Sequence, residues 1–600
     1  MDTPAPVIEA PQVGSVNRAW LRALSRTAEI ERAPERILAR VVEEKSIEQP
    51  DAPALLSSDE QLSYAELAVT ARRYARWALS QGLRKGETAA LMAHNHPGYM
   101  AAWLGLTSVG VVVALINTNL RGDALAHCVA AASPRVLIVA EEFAAAADAA
   151  LAGASQVPEI WLLGRGAGRR LGEALPALPS HPLSAEERGG VTVGDRALLI
   201  YTSGTTGLPK AAWVSHRRVM SWSCWFAAML DVDRSDRLYD CLPMYHSVGG
   251  VAATGAMLVG GASAVIARRF SASGFWDEVV RWDCTLFQYI GELCRYLVKA
   301  APSASERGHR LRIACGNGLD GAVWRELQSR FAIPRIIEFY AATEGNFSLF
   351  NLEGEPGAIG RLPGFMAHRF PVAIVAFDPE TGAPRRRADG RCRRCPRGEI
   401  GEAIGRIPRD GEGPAHRFEG YTSEAETEKK VLRDVFEPGD AWLRTGDLMR
   451  IDQRGFFHFV DRVDGSFRWK GENVSAAEVA AVIEACPGVD AAAVYGVAIP
   501  HAEGRAGMAA VTTRPGFDLG ELRVRLATAL PAYARPLFIR IVGSLPTTET
   551  FKTASHRLAA EGFDPERISD PLFFDDTIAA TYAPLDPQDF GRIARGELRF

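Results

Sequence analysis

From Ile37 onward the chain alternates between two hydrophobic periods. Residues 64–79 carry apolar side chains at helical spacing, and residues 88–92 form a short apolar run. Residues 100–109 return to the helical pattern, and residues 110–116 are rich in β-branched side chains. Residues 135–139 and 160–163 predict two further short strands. Helices alternating with short buried strands predict α/β layers on largely parallel sheets, since each parallel pair needs a crossover. After Asp461 the texture changes. Residues 478–485 predict a helix, 491–497 a strand, 519–530 a helix and 539–542 a strand. This is a second, smaller α+β unit of roughly 130 residues, within the usual domain range. The division expected from these patterns is a loose leader over 1–35, a large domain over 36–463 and a small domain over 464–600, with the boundary at 463–465.

Length and composition agree with this division. A chain of 600 residues exceeds what one core accommodates. Hydrophobic residues make up 47% and charged residues 23%, as in ordinary globular enzymes. A net charge of −4 and a pI near 6.4 argue against a nucleic-acid binder. The nine cysteines are odd in number and mostly in apolar contexts, which predicts reduced thiols in the cytoplasm. Cys392 and Cys395 form one CxxC without a second pair, and tetrahedral zinc needs four ligands.

Three segments bear on the membrane. The N-terminus has Asp2, Glu9 and three prolines but no basic stretch before an apolar one, so it does not read as a secretory signal. Residues 241–267 lack formal charge apart from His246, yet they contain Pro243 and predict a buried helix followed by a core strand. Residues 16–30 predict a short amphipathic helix with Val16, Trp20, Leu24 and more loosely Leu21 on one side, beside Arg18, Arg22 and Arg26. Such a helix can lie on the inner face of a membrane or dock on its own domain. The basic segment 384–397 follows a turn signal at 378–382 and predicts a solvated hairpin tip.

The strongest chemical signal is residues 201–210, Tyr-Thr-Ser-Gly-Thr-Thr-Gly-Leu-Pro-Lys, directly after the apolar run Ala197-Leu198-Leu199-Ile200. Gly204 and Gly207 let backbone N–H groups turn toward an anion. Thr202, Ser203, Thr205 and Thr206 add donors, and Lys210 adds a full charge. The Walker spacing fails, because Pro209 stands five residues after Gly204. The dinucleotide fingerprint fails at 164–169, where Arg169 replaces the third glycine. The loop resembles instead the phosphate loop of the adenylate-forming superfamily, which includes acyl-CoA synthetases, luciferases and peptide-synthetase adenylation domains.

Further segments resemble that superfamily in the expected order. Residues 337–346, with Tyr340, Ala341, Thr343 and Glu344, resemble its adenine-contacting and magnesium-linked motif. Tyr340 offers a flat face, and Glu344 a hard oxygen ligand of the kind Mg²⁺ favours. Gly316 and Asn317 resemble the border of the adenine pocket. Leu443-Arg444-Thr445-Gly446-Asp447 resembles the ribose motif, where Asp447 can accept from both hydroxyls. In the 461–464 segment, the resemblance implies Arg462 at ribose or phosphate and Asp464 as the domain pivot. It implies that the loop with Lys470 and Gly471 faces the active site in the thioester step, and that Lys552 is the adenylation lysine.

Residues 467–475, 288–297, 316–319 and 561–565 look like the fatty acid transport protein / very-long-chain acyl-CoA synthetase branch, over about residues 40–580. Glu549 departs from the glycine common before Thr-Phe-Lys, and Thr553-Ala554-Ser555 is less basic than usual. The implied substrates are ATP, coenzyme A and a fatty acid or related carboxylate, with Mg²⁺. Steroid or bile-acid-like carboxylates, and fatty-acid import by trapping, remain open. So does loading of a free carrier protein, since no attached Leu-Gly-Gly-x-Ser motif occurs. His246, Tyr289 and Gly291 are the acyl-pocket candidates, with Gly291 expected to line a tunnel and leave room for methylenes.

Overall fold

The computed structural model describes residues 13–598 apart from 165–168, 203–207, 368, 379–380, 410–416, 464–465, 470–471, 501–503, 547–554 and 578. Its packing divides the chain into two compact units: Met1–Phe370 with Asp410–Val431, and Pro371–Arg409 with Leu432–Phe600. The hinge expected at 463–465 is a different boundary, because packing density groups residues 371–409 and 432–463 with the C-terminal ones.

The first unit is built on two twisted sheets. One has the order Glu159–Leu162, Val136–Val139, Thr88–Met92, Val112–Leu115, Arg196–Thr202, Lys210–Ser215. It is parallel up to Arg196–Thr202 and closes on an antiparallel pair. The other has eight strands, with Arg237–Asp240, Ser263–Ile266, Leu286–Ile290, Ile313–Asn317 and Ile336–Ala341 parallel in its interior and antiparallel strands at both edges. Helix Tyr64–Ser80 starts at a capping box in which Ser63 and Glu66 each satisfy the other's backbone N–H. It packs on Pro97–Ser108 so closely that a Cβ on Gly105 would lie 2.2 Å from the Ala71 carbonyl oxygen.

Residues 13–28 are not a loose leader. They form helix Val13–Ala28, and Val16, Ala19, Trp20 and Ala23 are buried on one stripe against helix His216–Met229. Trp20 is 1% exposed and stands edge-on to Trp225, Phe350 and Phe370. Of the two docking modes open to this helix, packing on its own domain is the one observed. The uncharged segment after Cys241 is internal as well: a wide π turn over Ser247–Ala253, helix Thr254–Gly260 and core strand Ser263–Ile266. Among the described residues no helix is long and apolar enough to cross a membrane.

The second unit carries an antiparallel run of Val372–Val375, Gly401–Ile407, Ala441–Ile451 and Phe456–Arg462. It also has a five-stranded mixed sheet, Val489–Val497, Ala506–Thr513, Phe538–Ile541, Leu572–Asp576 and Thr581–Pro584. Helices Ala476–Glu484 and Leu519–Ala529 bury Val479, Ile483, Leu522 and Leu526 in its core. The basic segment is the expected exposed hairpin tip, with Arg386 bridged to Cys392 across a turn at Gly390.

Candidate active site

Strands Arg196–Thr202 and Lys210–Ser215 pair antiparallel, with Thr202 directly opposite Lys210. The loop between them is therefore closed at its base by a ladder, which fixes where Thr202 and Lys210 project. Ser203, Gly204, Thr205, Thr206 and Gly207 lie outside the described residues. The Lys210 ammonium pairs with Glu426 and stands 6.0 Å from the centroid of the Tyr421 ring. Lys210, and then Lys429, hold the Glu426 carboxyl down to about 2.

The segment that carries Tyr421 and Glu426 is laid along the outer strand. Trp213 N–H donates to Gly420 O at 3.0 Å, and Thr422 N–H donates to Ala211 O at 2.9 Å. Glu419 accepts from the Ser215 N–H at 2.7 Å and the Ser215 hydroxyl at 2.6 Å. This placement brings the Tyr421 hydroxyl to Glu344, where it donates to Oε1 at 2.9 Å. Thr202 stands close enough to the same phenol to influence it. Buried Arg218 donates to Thr343 O and to Arg417 O, each at 2.8 Å, and Thr343 shares a 2.9 Å hydroxyl contact with Ser247. Thr202, Lys210, Thr343 and Glu344 are thus brought together. Tyr421, Glu426, Glu419 and Arg218, which join them, were not identified from the sequence.

Gly316, Asn317, Tyr340 and Ala341 sit at the carboxyl ends of two adjacent parallel strands, where ligands bind in open α/β sheets. The Asn317 side-chain oxygen is buried there with no hydrogen-bond partner among the described residues. Tyr340 is half-buried, 5.6 Å from the Phe347 ring. His246 is half-buried at the head of the π turn, a form of helix frequent at functional sites.

Two pocket expectations are corrected. Tyr289 is 0% exposed, and its hydroxyl donates to Glu338 at 2.6 Å inside the sheet, so it presents no surface to a substrate. Gly291 does not leave room for methylenes, because a Cβ there would lie 1.7 Å from the Gly318 carbonyl oxygen. Its small size serves a close backbone approach. Likewise a Cβ on Gly316 would lie 2.3 Å from Tyr289.

In the second unit, Asp447 and Arg462 face each other in register across an antiparallel pair, with a 3.7 Å ion pair between them. Gly446 turns the backbone at φ +76°, and the Asp447 N–H is held by Thr445 Oγ1 at 3.0 Å. Burial raises the Asp461 carboxyl, which accepts from Ser475 at 3.1 Å and so ties the strand end to the next helix. Asp464, Lys470, Gly471 and Lys552 lie outside the described residues.

The sequence profile of the AMP-binding enzymes matches residues 42–402, and that of the AMP-binding enzyme C-terminal domain matches 478–552. The chain is 39% identical to long-chain fatty acid transport protein 1 of Mus musculus over 567 residues, which covers 92% of this chain and 86% of that protein. The chain belongs to the AMP-binding enzyme family, in its fatty acid transport protein branch. Among solved structures, this family member superposes on ATP-bound MatB from Rhodopseudomonas palustris with a TM-score of 0.71 at 25% identity, covering 88% of this chain and 98% of that one. It shares the fold of the Mycobacterium tuberculosis fatty acyl CoA synthetase with a TM-score of 0.62 at 22% identity, covering 87% of this chain and 98% of that one.

The residues present fit a magnesium nucleotide. The Glu344 carboxylate, held on one oxygen by the Tyr421 hydroxyl, is a hard oxygen donor of the kind Mg²⁺ takes beside phosphate. The orphaned Asn317 acceptor fits an amino group of the base.

Proposed function

We propose that this AMP-binding enzyme is a long-chain fatty acid–CoA ligase, converting ATP, fatty acid and CoA to AMP, pyrophosphate and acyl-CoA through an acyl-adenylate. The observation that carries it is the gathering of Lys210, Tyr421 and Glu344 beside Thr202, in a chain whose relatives are long-chain fatty acid transport proteins.

In the first step a carboxylate oxygen attacks the α-phosphorus, and the bond to the β,γ-phosphates breaks. Negative charge grows on the phosphoryl oxygens, so positioning and charge stabilisation outweigh proton transfer. Thr202 and Lys210 hold the leaving pyrophosphate. Glu344 would hold Mg²⁺, which when bound would neutralise charge on the phosphate oxygens. Asp447 and Arg462 take the ribose, and Asn317 and Tyr340 take the base. Lys552 bridges the carboxylate and α-phosphate, by resemblance to the family. In the second step the CoA thiolate attacks the acyl carbon and AMP leaves. Rotation about Asp464 withdraws Lys552 and brings in the loop with Lys470 and Gly471, a gating motion of a recognised kind. The acid is met from the cytoplasm or the inner face of a membrane, where ATP and CoA are available.

A panel of carboxylates with ATP and CoA, read by AMP release, tests the reading. Absence of AMP with fatty acids of every length rejects it. Lys552→Ala should abolish adenylate formation yet still convert supplied acyl-adenylate to acyl-CoA; equal loss of both half-reactions rejects the role of Lys552. The name of the relatives also favours a contribution to fatty-acid uptake by trapping the acid as its thioester. Ligase activity in membrane-free protein separates the enzyme from a factor that works only in the membrane.

A further inference from the structure

The ammonium of Lys210 already holds an anion. Its partner Glu426 is one-fifth exposed and is shared, with Lys210 on one carboxylate oxygen and Lys429 on the other. The pair stands on fixed backbone. Glu426 N–H is capped by Ser423 at the head of helix Glu424–Glu428, and Tyr421 N–H donates to Thr427 Oγ1 at 2.9 Å. The bridge between Tyr421 and Ala212 ties this helix to the strand that Lys210 begins. A lysine cannot give its full charge to a phosphate while a carboxylate holds it, so any phosphate that binds must compete with Glu426.

We propose that Glu426 is the resident counter-ion of Lys210, standing in for phosphate oxygens before ATP binds and reclaiming the ammonium as pyrophosphate leaves. It is a positioning residue, acting through Lys210, and it sets how tightly the β,γ-phosphates are held. This rests on the reading of Lys210 as a phosphate contact. A free Lys210 would hold ATP more tightly and would release pyrophosphate more slowly. Glu426 therefore lowers the affinity for product at the moment the forward reaction needs it to go.

Calorimetric titration of the full chain with ATP, inorganic pyrophosphate and AMP tests this without turnover. Glu426→Gln should bind pyrophosphate and ATP about five- to tenfold more tightly, with AMP binding unchanged because AMP lacks those phosphates. The gain should vanish in a Lys210→Met background. Glu426→Asp, which keeps the charge but withdraws it by one methylene, should tighten pyrophosphate binding about twofold. Unchanged or weaker pyrophosphate binding in Glu426→Gln, with AMP binding intact, overturns the proposal. If Glu426→Gln no longer binds AMP, unchanged or weaker pyrophosphate binding in Glu426→Asp overturns it instead. If Lys210→Met alone leaves pyrophosphate affinity intact, the phosphate role of Lys210 fails, and this proposal fails with it.

Discussion

The Tyr421 hydroxyl donates to Glu344 Oε1 at 2.9 Å across 77 residues of sequence. The phenol occupies one oxygen of Glu344 and leaves the other for the metal proposed there. Partners of this outer kind orient a metal-binding carboxylate and raise metal affinity. Tyr421→Phe removes the hydroxyl and keeps the ring beneath Lys210. The Mg²⁺ concentration for half-maximal adenylation should rise about tenfold, with a smaller change in rate at saturating Mg²⁺. Pyrophosphate exchange measured across a Mg²⁺ titration reads both. A lower rate with an unchanged Mg²⁺ requirement would show that Tyr421 does not act through Glu344.

Trp20 offers a test of the N-terminal helix. It is 1% exposed among Trp225, Phe350 and Phe370, whereas its neighbour Leu21 is 53% exposed. Trp20→Ala should lower stability by ~3–5 kcal/mol, and Leu21→Ala by less than about 0.5 kcal/mol. Urea midpoints of the two variants compare them directly. Equal midpoints would return this segment to the status of a loose leader.

The legible part of this molecule was the part written in local periodicity. The strand at Thr88–Met92 and the helix from Tyr64 are where the apolar spacing put them, because burial on one face dictates both. The loop at 201–210 stands out in the sequence because its glycines and hydroxyls are contiguous. Tyr421 and Glu426 were not, since they reach the site by a long-range pairing with strand Lys210–Ser215 that leaves no local signature. The one available signal was Ser423 three residues before Glu426, a cap pattern that marks a helix start and says nothing of Lys210. The roles given to Tyr289 and Gly291 failed for a related reason. A glycine needed for close backbone approach and one needed for a ligand look alike in sequence.

Glu338 predicts a pH dependence of stability. It is fully buried, with Tyr289 and Leu319 N–H as donors, and burial raises its carboxyl from 4.5 to about 8. The folded chain therefore keeps a proton that the unfolded chain releases. The stability it contributes is complete below the unfolded value and is lost as pH rises from about 4.5 through about 8. Asp240, raised to about 7 by burial, adds in the same direction. Thermal midpoints should fall over this window, and Glu338→Gln, neutral at every pH, should flatten the fall. A Glu338→Gln profile parallel to that of the parent would mean that Glu338 is ionised in the folded protein.

Gly291 separates two physical roles for one small residue. If it lined an acyl tunnel, alanine would shorten the preferred chain and leave the fold untouched. Instead its backbone lies against Gly318, and an added Cβ would come 1.7 Å from that carbonyl oxygen and 2.4 Å from its carbon. Neither atom belongs to a side chain that can swing away, so the strand ends must part. Those ends carry Asn317 and, on the next strand, Tyr340, both assigned to the base. Gly291→Ala should therefore lower stability by ~1–3 kcal/mol and raise the KM for ATP, while the order of preference among fatty acids of different length stays the same. Thermal melts together with ATP and acyl-chain titrations check all three. A stable variant with an intact KM for ATP and a shifted chain-length preference would restore the tunnel and displace the close backbone contact as the reason for glycine here.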